Sequence, residues 1–168
     1  FFYDQRENRR LLSSFVAGAD VLDCFCFTGS FAVHAAAYGA RHVTGVDISA
    51  AAIDIAARNA ALNQVSERCE FLTANAFDLL REYSDAGRLY DTVILDPPAF
   101  TKSRSSVDSA ARGYKEINLR GLKMIRPGGF LVTCSCSFHM NRDLFHSIVA
   151  EAAADARRTV REVAYLSQ

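Results

Sequence analysis

Apolar and polar positions follow two rhythms along this chain. Apolar runs of five to seven residues that end in polar or turn residues predict strands at 19–25 (ADVLDCF), 41–47 (RHVTGVD), 69–74 (CEFLTA), 90–96 (YDTVILD), 130–134 (FLVTC) and 161–166 (REVAYL). Between them, apolar residues at three- and four-residue spacing predict helices. One spans 30–40 and closes at Gly39. A second spans 49–63, with Ser49 as N-cap and Ile53, Ala56, Ala57 and Ala60 on one stripe. A short helix runs through Leu79 and Leu80. A longer one covers 113–125, with Ile117, Gly121 and Met124 along one side, and the turn at 126–129 stops it. The last covers 142–156, and a lead-in segment with its own helix occupies 1–17.

Strands that alternate with helices of this length predict right-handed crossovers and a mostly parallel, doubly wound α/β sheet. The expectation is one domain over 1–168 with about six strands. The stretch 101–113 (TKSRSSVDSAARG) is the one long polar segment and follows a strand end. Ligands of doubly wound sheets lie outside the carboxyl ends of the strands, so this stretch is expected as a loop that touches substrate or closes over it.

Bulk properties narrow the picture. The 168 residues are 50% hydrophobic and 23% charged, enough for a real core. No stretch approaches the roughly 18 unbroken apolar residues of a membrane helix. The opening FFYDQRENRR runs from aromatics straight into charges, unlike a signal peptide. Five cysteines, an odd number, point to free thiols in a reducing, cytoplasmic compartment. Net charge is zero, so binding to a polyanion needs a local patch. Residues 100–126 supply one of +5: Lys102, Arg104, Arg112, Lys115, Arg120, Lys123 and Arg126 against Asp108 and Glu116.

The first strand and turn, VLDCFCFTGSF, disfavour a dinucleotide. A GxGxxG turn lets backbone approach a pyrophosphate, but only Gly29 is present, with Phe25 and Phe27 filling the small-residue places. No P-loop pattern occurs. A nucleoside without phosphates tolerates such a turn, and S-adenosylmethionine is one. Asp47, 24 positions after Asp23, ends the second strand, where a carboxylate can accept both ribose hydroxyls. The helix that begins near Gly29 and Ser30 can receive a carboxylate at its N-terminus. Asn75 and Phe77 follow the third strand, where an adenine would sit. Gln5 and Arg6 are candidates to approach the methionine end.

The motifs VLDCFCFTGSF, TGVDIS, LDPPAF, RGYKEIN and LVTCSCS occur in this order over most of the chain. Together they resemble the bacterial ribosomal RNA large-subunit methyltransferase I family, which makes 5-methylcytosine from S-adenosylmethionine. The resemblance implies a class I methyltransferase, Rossmann-like sheet whose final strand is missing here. It also implies an RNA-binding domain before this region and a hairpin after it, so the chain reads as a catalytic core. The implied cofactor contacts are Asp23, Phe25, Thr28, Gly29, Ser30, Phe31, Asp47, Ile48, Asn75, Ala76, Phe77, Asp96 and Pro97. Asn75 departs from the acid usual at the adenine site, and Ala99, after the two prolines, from a basic residue often seen at that position. The implied partner is unassembled large-subunit ribosomal RNA, held by Pro98, Phe100, Lys102, Arg112, Tyr114, Lys115 and Asn118, with no metal and no membrane.

Carbon 5 of cytosine is a poor nucleophile until a thiolate adds to carbon 6. Cys136 aligns with the nucleophile of such enzymes, and Asp96 is the second candidate catalytic group. Cys134 is expected as a buried small hydrophobe. The pairs Cys24/Cys26 and Cys134/Cys136 lack the two-to-four-residue spacing of zinc ligands. Two other readings stand beside this one. An amino-group or guanine methyltransferase would use Asp96, Pro97 and Pro98 without a thiol, and a binding-only module would hold a degenerate cofactor site.

Overall fold

Strand β1 (Asp20–Cys24) lies at the centre of a five-stranded parallel sheet, order β3-β2-β1-β4-β5, in a computed structural model that describes residues 5–100, 107–137 and 140–166. β2 is His42–Asp47, β3 Cys69–Thr73, β4 Tyr90–Leu95 and β5 Ile125–Thr133. The helices are α1 (Arg6–Leu11), α2 (Ser30–Ala37), α3 (Ala50–Leu62), α4 (Ala76–Asp85), α5 (Val107–Lys123) and α6 (Arg142–Asp155). The central strands are apolar because both of their faces are covered. Val21, Val43 and Ile94 pack with Phe31, Ala32, Ala35 and Ala36 of α2 on one face. Leu22, Cys24, Val46, Val93 and Leu95 pack with α4, α5 and α6 on the other. Successive strand residues alternate between the two cores, as a period of two requires.

Parallel pairing aligns the strand ends that carry chemistry. Cys24 sits opposite Val46 on one side and Leu95 on the other, and Leu95 sits opposite Thr133. The residues that follow these strands therefore emerge along one edge. The strand order reverses between β1 and β4, and that switch point is where such sheets bind ligands.

The structure departs from the sequence expectations at four places. α5 begins at Val107, so half of the expected loop 101–113 is helix. Its buried seam (Ala110, Tyr114, Ile117, Asn118, Gly121 and Leu122) opens on a single small alanine, a weak signal in a Ser- and Arg-rich stretch. On α3, Ser49 caps as expected and its Oγ accepts from the Ala52 N–H, but Ala57 is exposed and Ala52 is buried in its place. β5 begins at Ile125, opposite Tyr90, and its ladder resumes only at Phe130, opposite Thr92. The turn at 126–129 thus loops out of a strand that already runs.

The fourth correction is the expected sixth strand. Residues 161–166 have no regular structure and pair with no strand among the described residues, so the sheet has five strands. Alternation of Val163 and Tyr165 is only half of a strand; a ladder partner is the other half. The segment lies along α6 instead. The Arg142 guanidinium sits 4.2 Å over the Tyr165 ring, and Arg142 and His146 both approach Glu162. No described helix is long and apolar enough to cross a membrane.

Candidate functional site

The loop between β1 and α2 forms the floor of the site. Phe25, Phe27 and Gly29 all adopt left-handed backbone, with φ of 63°, 48° and 75°. Only glycine takes this conformation without cost, so two aromatic residues here store strain, a feature that clusters at functional loops. Glycine is required at 29 for a second reason: a Cβ there would lie 2.8 Å from the Ala56 Cβ. The loop is held by its neighbours. The Cys26 N–H donates to the Val46 oxygen (2.9 Å), the Gly29 N–H to the Cys26 oxygen (2.7 Å), and Asn59 Nδ2 to the Thr28 oxygen (2.9 Å).

Asp47, at the end of β2, fixes two turns at once. Its Oδ2 accepts from the Phe27 N–H (2.9 Å) and its Oδ1 from the Ser49 N–H (3.0 Å). The large apolar side chains on either side of it are exposed, Phe27 by 46% and Ile48 by 72%. A carboxylate between exposed apolar flanks suits a ribose that carries a flat base. Asn75 caps α4, its Oδ1 accepting from the Phe77 N–H at 2.9 Å. That oxygen therefore already holds one donor, and the second lone pair of an amide oxygen is left for an exocyclic amine such as adenine's. Phe77 belongs to an aromatic cluster, 5.9 Å from Phe25 and 5.6 Å from Phe100 between ring centres. The Phe31 and Ala76 side chains are buried in the two cores, so only their backbone can serve a ligand.

Asp23 lies beneath the floor, fully buried. Its Oδ2 accepts from the Ala32 N–H in the first turn of α2 (2.9 Å), and its Oδ1 has no hydrogen-bond partner among the described residues. Burial, with Asp96 and Asp47 nearby, pushes its carboxyl well above the ordinary value of 3.8. Above that ordinary value the unfolded chain has lost the proton that the folded protein still holds, so stability falls as pH rises from about 4 toward the raised value. Asp23→Asn keeps an acceptor for Ala32 and removes the titration. Its stability relative to the parent is expected to rise with pH across that window and to stay level below it. Urea unfolding at several pH values measures this, and a difference that is flat with pH would contradict it.

The other half of the site comes from the ends of β4 and β5. Asp96 receives Gln5 Nε2 at 3.4 Å, and Cys134 Sγ lies 3.9 Å from Gln5 Oε1. Gln5 is buried and Arg6 exposed, so of the two lead-in candidates Gln5 reaches the site. Cys134 is half-buried, and desolvation with Asp96 and Asp23 nearby pushes its thiol well up. Burial raises the thiols of Cys24, Cys26 and Cys69 as well, Cys69 to about 11. Cys136 is the exposed cysteine, its Sγ 3.4 Å from the Pro97 oxygen. Pro97 is buried, Pro98 exposed, and Phe100 packs on Tyr114 with 4.6 Å between ring centres. A Cβ on Gly113 would meet the Phe100 ring at 3.2 Å, which is why glycine occupies that turn of α5.

Among the described residues the basic stretch does not form one patch. Lys115 pairs with Glu151 (3.2 Å) and Asp155 (3.0 Å) of α6. Arg120 pairs with Asp85 and Glu116. Arg126 pairs with Asp91 at the opposite end of the sheet, beside an open depression of about 570 Å³ lined by Phe15, Arg41 and Phe130. Arg112 and Lys123 are exposed; Lys102 and Arg104 lie outside the described residues. Tyr114 and Asn118 are fully buried, so neither reaches a phosphate. The Tyr114 hydroxyl meets Ser135 and Ser137 instead, two residues that sequence reasoning passed over although the TCSCS motif contains them.

A parallel sheet whose switch point carries a strand-end carboxylate and no pyrophosphate turn has the Rossmann-like architecture, with room in its first turn for a nucleoside without phosphates. The family model for S-adenosylmethionine-dependent methyltransferases matches residues 1–163, and the chain belongs to that family. It is 43% identical, over its whole length, to a ribosomal RNA large subunit methyltransferase I of Shewanella frigidimarina, and 44% to that of Pseudoalteromonas atlantica. The chain spans 43% of the length of these curated relatives. Among solved structures it resembles the methyltransferase SMU.776 complexed with S-adenosylhomocysteine (TM-score 0.80, 25% identity, 90% of this chain and 40% of that one). It also resembles an S-adenosylmethionine-dependent methyltransferase of Agrobacterium tumefaciens (TM-score 0.78, 24% identity, 91% and 51%).

Proposed function

We propose that this chain is the catalytic core of an enzyme that methylates carbon 5 of a cytosine in large-subunit ribosomal RNA, with Cys136 as nucleophile. The observation that carries the reading is the placement of the thiols. Four cysteines are withdrawn into the protein or partly covered, while Cys136 is exposed at the switch-point edge, against the Asp96–Pro97–Pro98 turn. An amino-group methyltransferase needs no thiol at that position. The names of the curated relatives supply the RNA class.

Bound S-adenosylmethionine supplies an electrophilic methyl group. In this reading Asp47 accepts the ribose hydroxyls, Ile48 and Phe27 cover the base, and the first turn of α2, at Ser30 and Phe31, faces the methionine carboxylate. Asp96 and Pro97 border the methyl end. The Cys136 thiolate adds to carbon 6 of an unstacked cytosine, and the electron pair released to carbon 5 takes the methyl group. A base then removes the carbon 5 proton, the carbon 5–carbon 6 double bond re-forms, and the thiolate leaves. Pro98, Phe100 and Arg112 lie where the RNA strand would pass.

The test is methyl transfer from labelled S-adenosylmethionine to unmodified large-subunit RNA, followed by nucleoside analysis. The expected product is 5-methylcytosine. Methylguanine or a methylated amino group would replace this reading with the thiol-free one. No transfer together with no affinity for S-adenosylhomocysteine would favour a binding-only module.

A further inference from the structure

We propose that Tyr114 is a positioning residue for the Cys136 thiol, acting through a closed ring of hydrogen bonds that joins the two serines flanking it. The inference rests on the reading of Cys136 as nucleophile. Its physical basis is the way the chain is held where β5 ends.

The last ladder-type bond on this side is that of the Cys134 N–H to the Leu95 oxygen, 2.9 Å. Beyond it, the segment 135–137 has no strand partner. A second device takes over there. The Ser137 N–H donates to Ser135 Oγ at 3.4 Å. The Ser135 hydroxyl donates to the Tyr114 hydroxyl oxygen at 3.0 Å. The Tyr114 hydroxyl lies 3.0 Å from Ser137 Oγ, to which its remaining proton can be given. The Ser135 and Tyr114 hydroxyls then each donate once and accept once, Ser137 closes the ring through its backbone N–H, and the bonds polarise one another in a single direction. Cys136 is the residue enclosed between the two serines.

The anchor of the ring is rigid. Tyr114 is fully buried, its ring 4.6 Å from Phe100 and 5.4 Å from Phe145. Asn118 Nδ2 donates to the Tyr114 backbone oxygen at 2.8 Å and fixes this turn of α5. Ser137 is buried as well. An exposed thiol thus sits on backbone that is pinned on both sides, and its sulfur is directed to the Pro97 oxygen. The ring also explains a tyrosine at a fully buried position, where phenylalanine would avoid placing a hydroxyl in the core.

The experiment times iodoacetamide alkylation of each cysteine in the whole chain by mass spectrometry. The parent is compared with Tyr114→Phe, Ser135→Ala and Ser135→Thr. Loss of one ring bond frees the thiol from the Pro97 oxygen, so Tyr114→Phe and Ser135→Ala are expected to speed alkylation at Cys136 about fivefold. Rates at Cys24, Cys26, Cys69 and Cys134 should not change. Ser135→Thr keeps the hydroxyl and is expected to return the Cys136 rate toward that of the parent. In the methyl-transfer assay Tyr114→Phe and Ser135→Ala should lose kcat with KM for S-adenosylmethionine unchanged. An equal rise at all five cysteines would make Tyr114 a purely structural residue and overturn the proposal. An unchanged Cys136 rate in both Tyr114→Phe and Ser135→Ala would overturn it too, and Ser135→Ala keeps that test valid if Tyr114→Phe folds poorly. Alkylation does not depend on the reaction. Activity retained in a protein without the Cys136 thiol would sink the nucleophile reading by itself, whatever the alkylation rates.

Discussion

Cys136→Ala is expected to lower 5-methylcytosine formation by roughly 10⁴-fold or more, the scale on which removal of a covalent nucleophile acts. The fold should not suffer. Cys136 is exposed, so its truncation opens no cavity, and the serines beside it are held through Tyr114. Affinity for S-adenosylhomocysteine and the thermal midpoint should therefore match the parent. Cys134→Ala gives the contrasting pattern. Its thiol is half-buried and held in the neutral form by desolvation and by Asp96 and Asp23, so it is a poor nucleophile. That change should reduce activity modestly through lost packing beside Gln5 and Asp96. The pair separates a thiol that reacts from one that fills space, and parent-like activity in Cys136→Ala would refute the covalent mechanism.

The parts of this site that sequence revealed are those fixed by local pattern. Asp47 could be found because it ends an apolar run, and Ser49 because it opens a helix; both are where those patterns put them. Asp23 and Asp96 follow the same pattern, one residue before the end of β1 and one residue past the end of β4. Long-range pairing was not legible. The alternation at 161–166 is that of a strand, yet no described strand lies beside it, and period alone cannot supply a partner. The charge sum of 100–126 was right as arithmetic but misleading as a surface. Helix periodicity and the crossover carry Lys115 to α6, Arg120 to α4 and Arg126 to the far end of the sheet, each against an acid. Tyr114 illustrates the same limit at a single residue. In sequence it belongs to a basic, polar stretch; in the fold its hydroxyl lies under the segment that begins 21 residues later. Nor does the sequence of the first turn announce that Phe25 and Phe27 accept left-handed backbone. That compromise is imposed by the bonds that tie the turn to β2.

One of those ties makes Asp47→Ala the second large effect. Each carboxylate oxygen already accepts a backbone N–H, from Phe27 or from Ser49, and an ionised carboxylate has further lone pairs for a ribose. Two charge-assisted hydrogen bonds to ribose hydroxyls are worth about 3 kcal/mol together, so affinity for S-adenosylhomocysteine should fall by roughly 10²-fold in titration calorimetry. The same substitution releases the Phe27 N–H from a strained turn and the Ser49 N–H from the start of α3. It should therefore also cost about 1–2 kcal/mol of stability in urea unfolding. Asp47→Asn divides the two roles. Its amide oxygen can serve one N–H, but its NH₂ group must then face the other, donor against donor. Asn is thus expected to lose nearly as much affinity as Ala, although its shape is that of the parent. If Asp47→Asn binds S-adenosylhomocysteine as the parent does, the ribose is not held here, and the cofactor must lie elsewhere along the edge between β1 and β4.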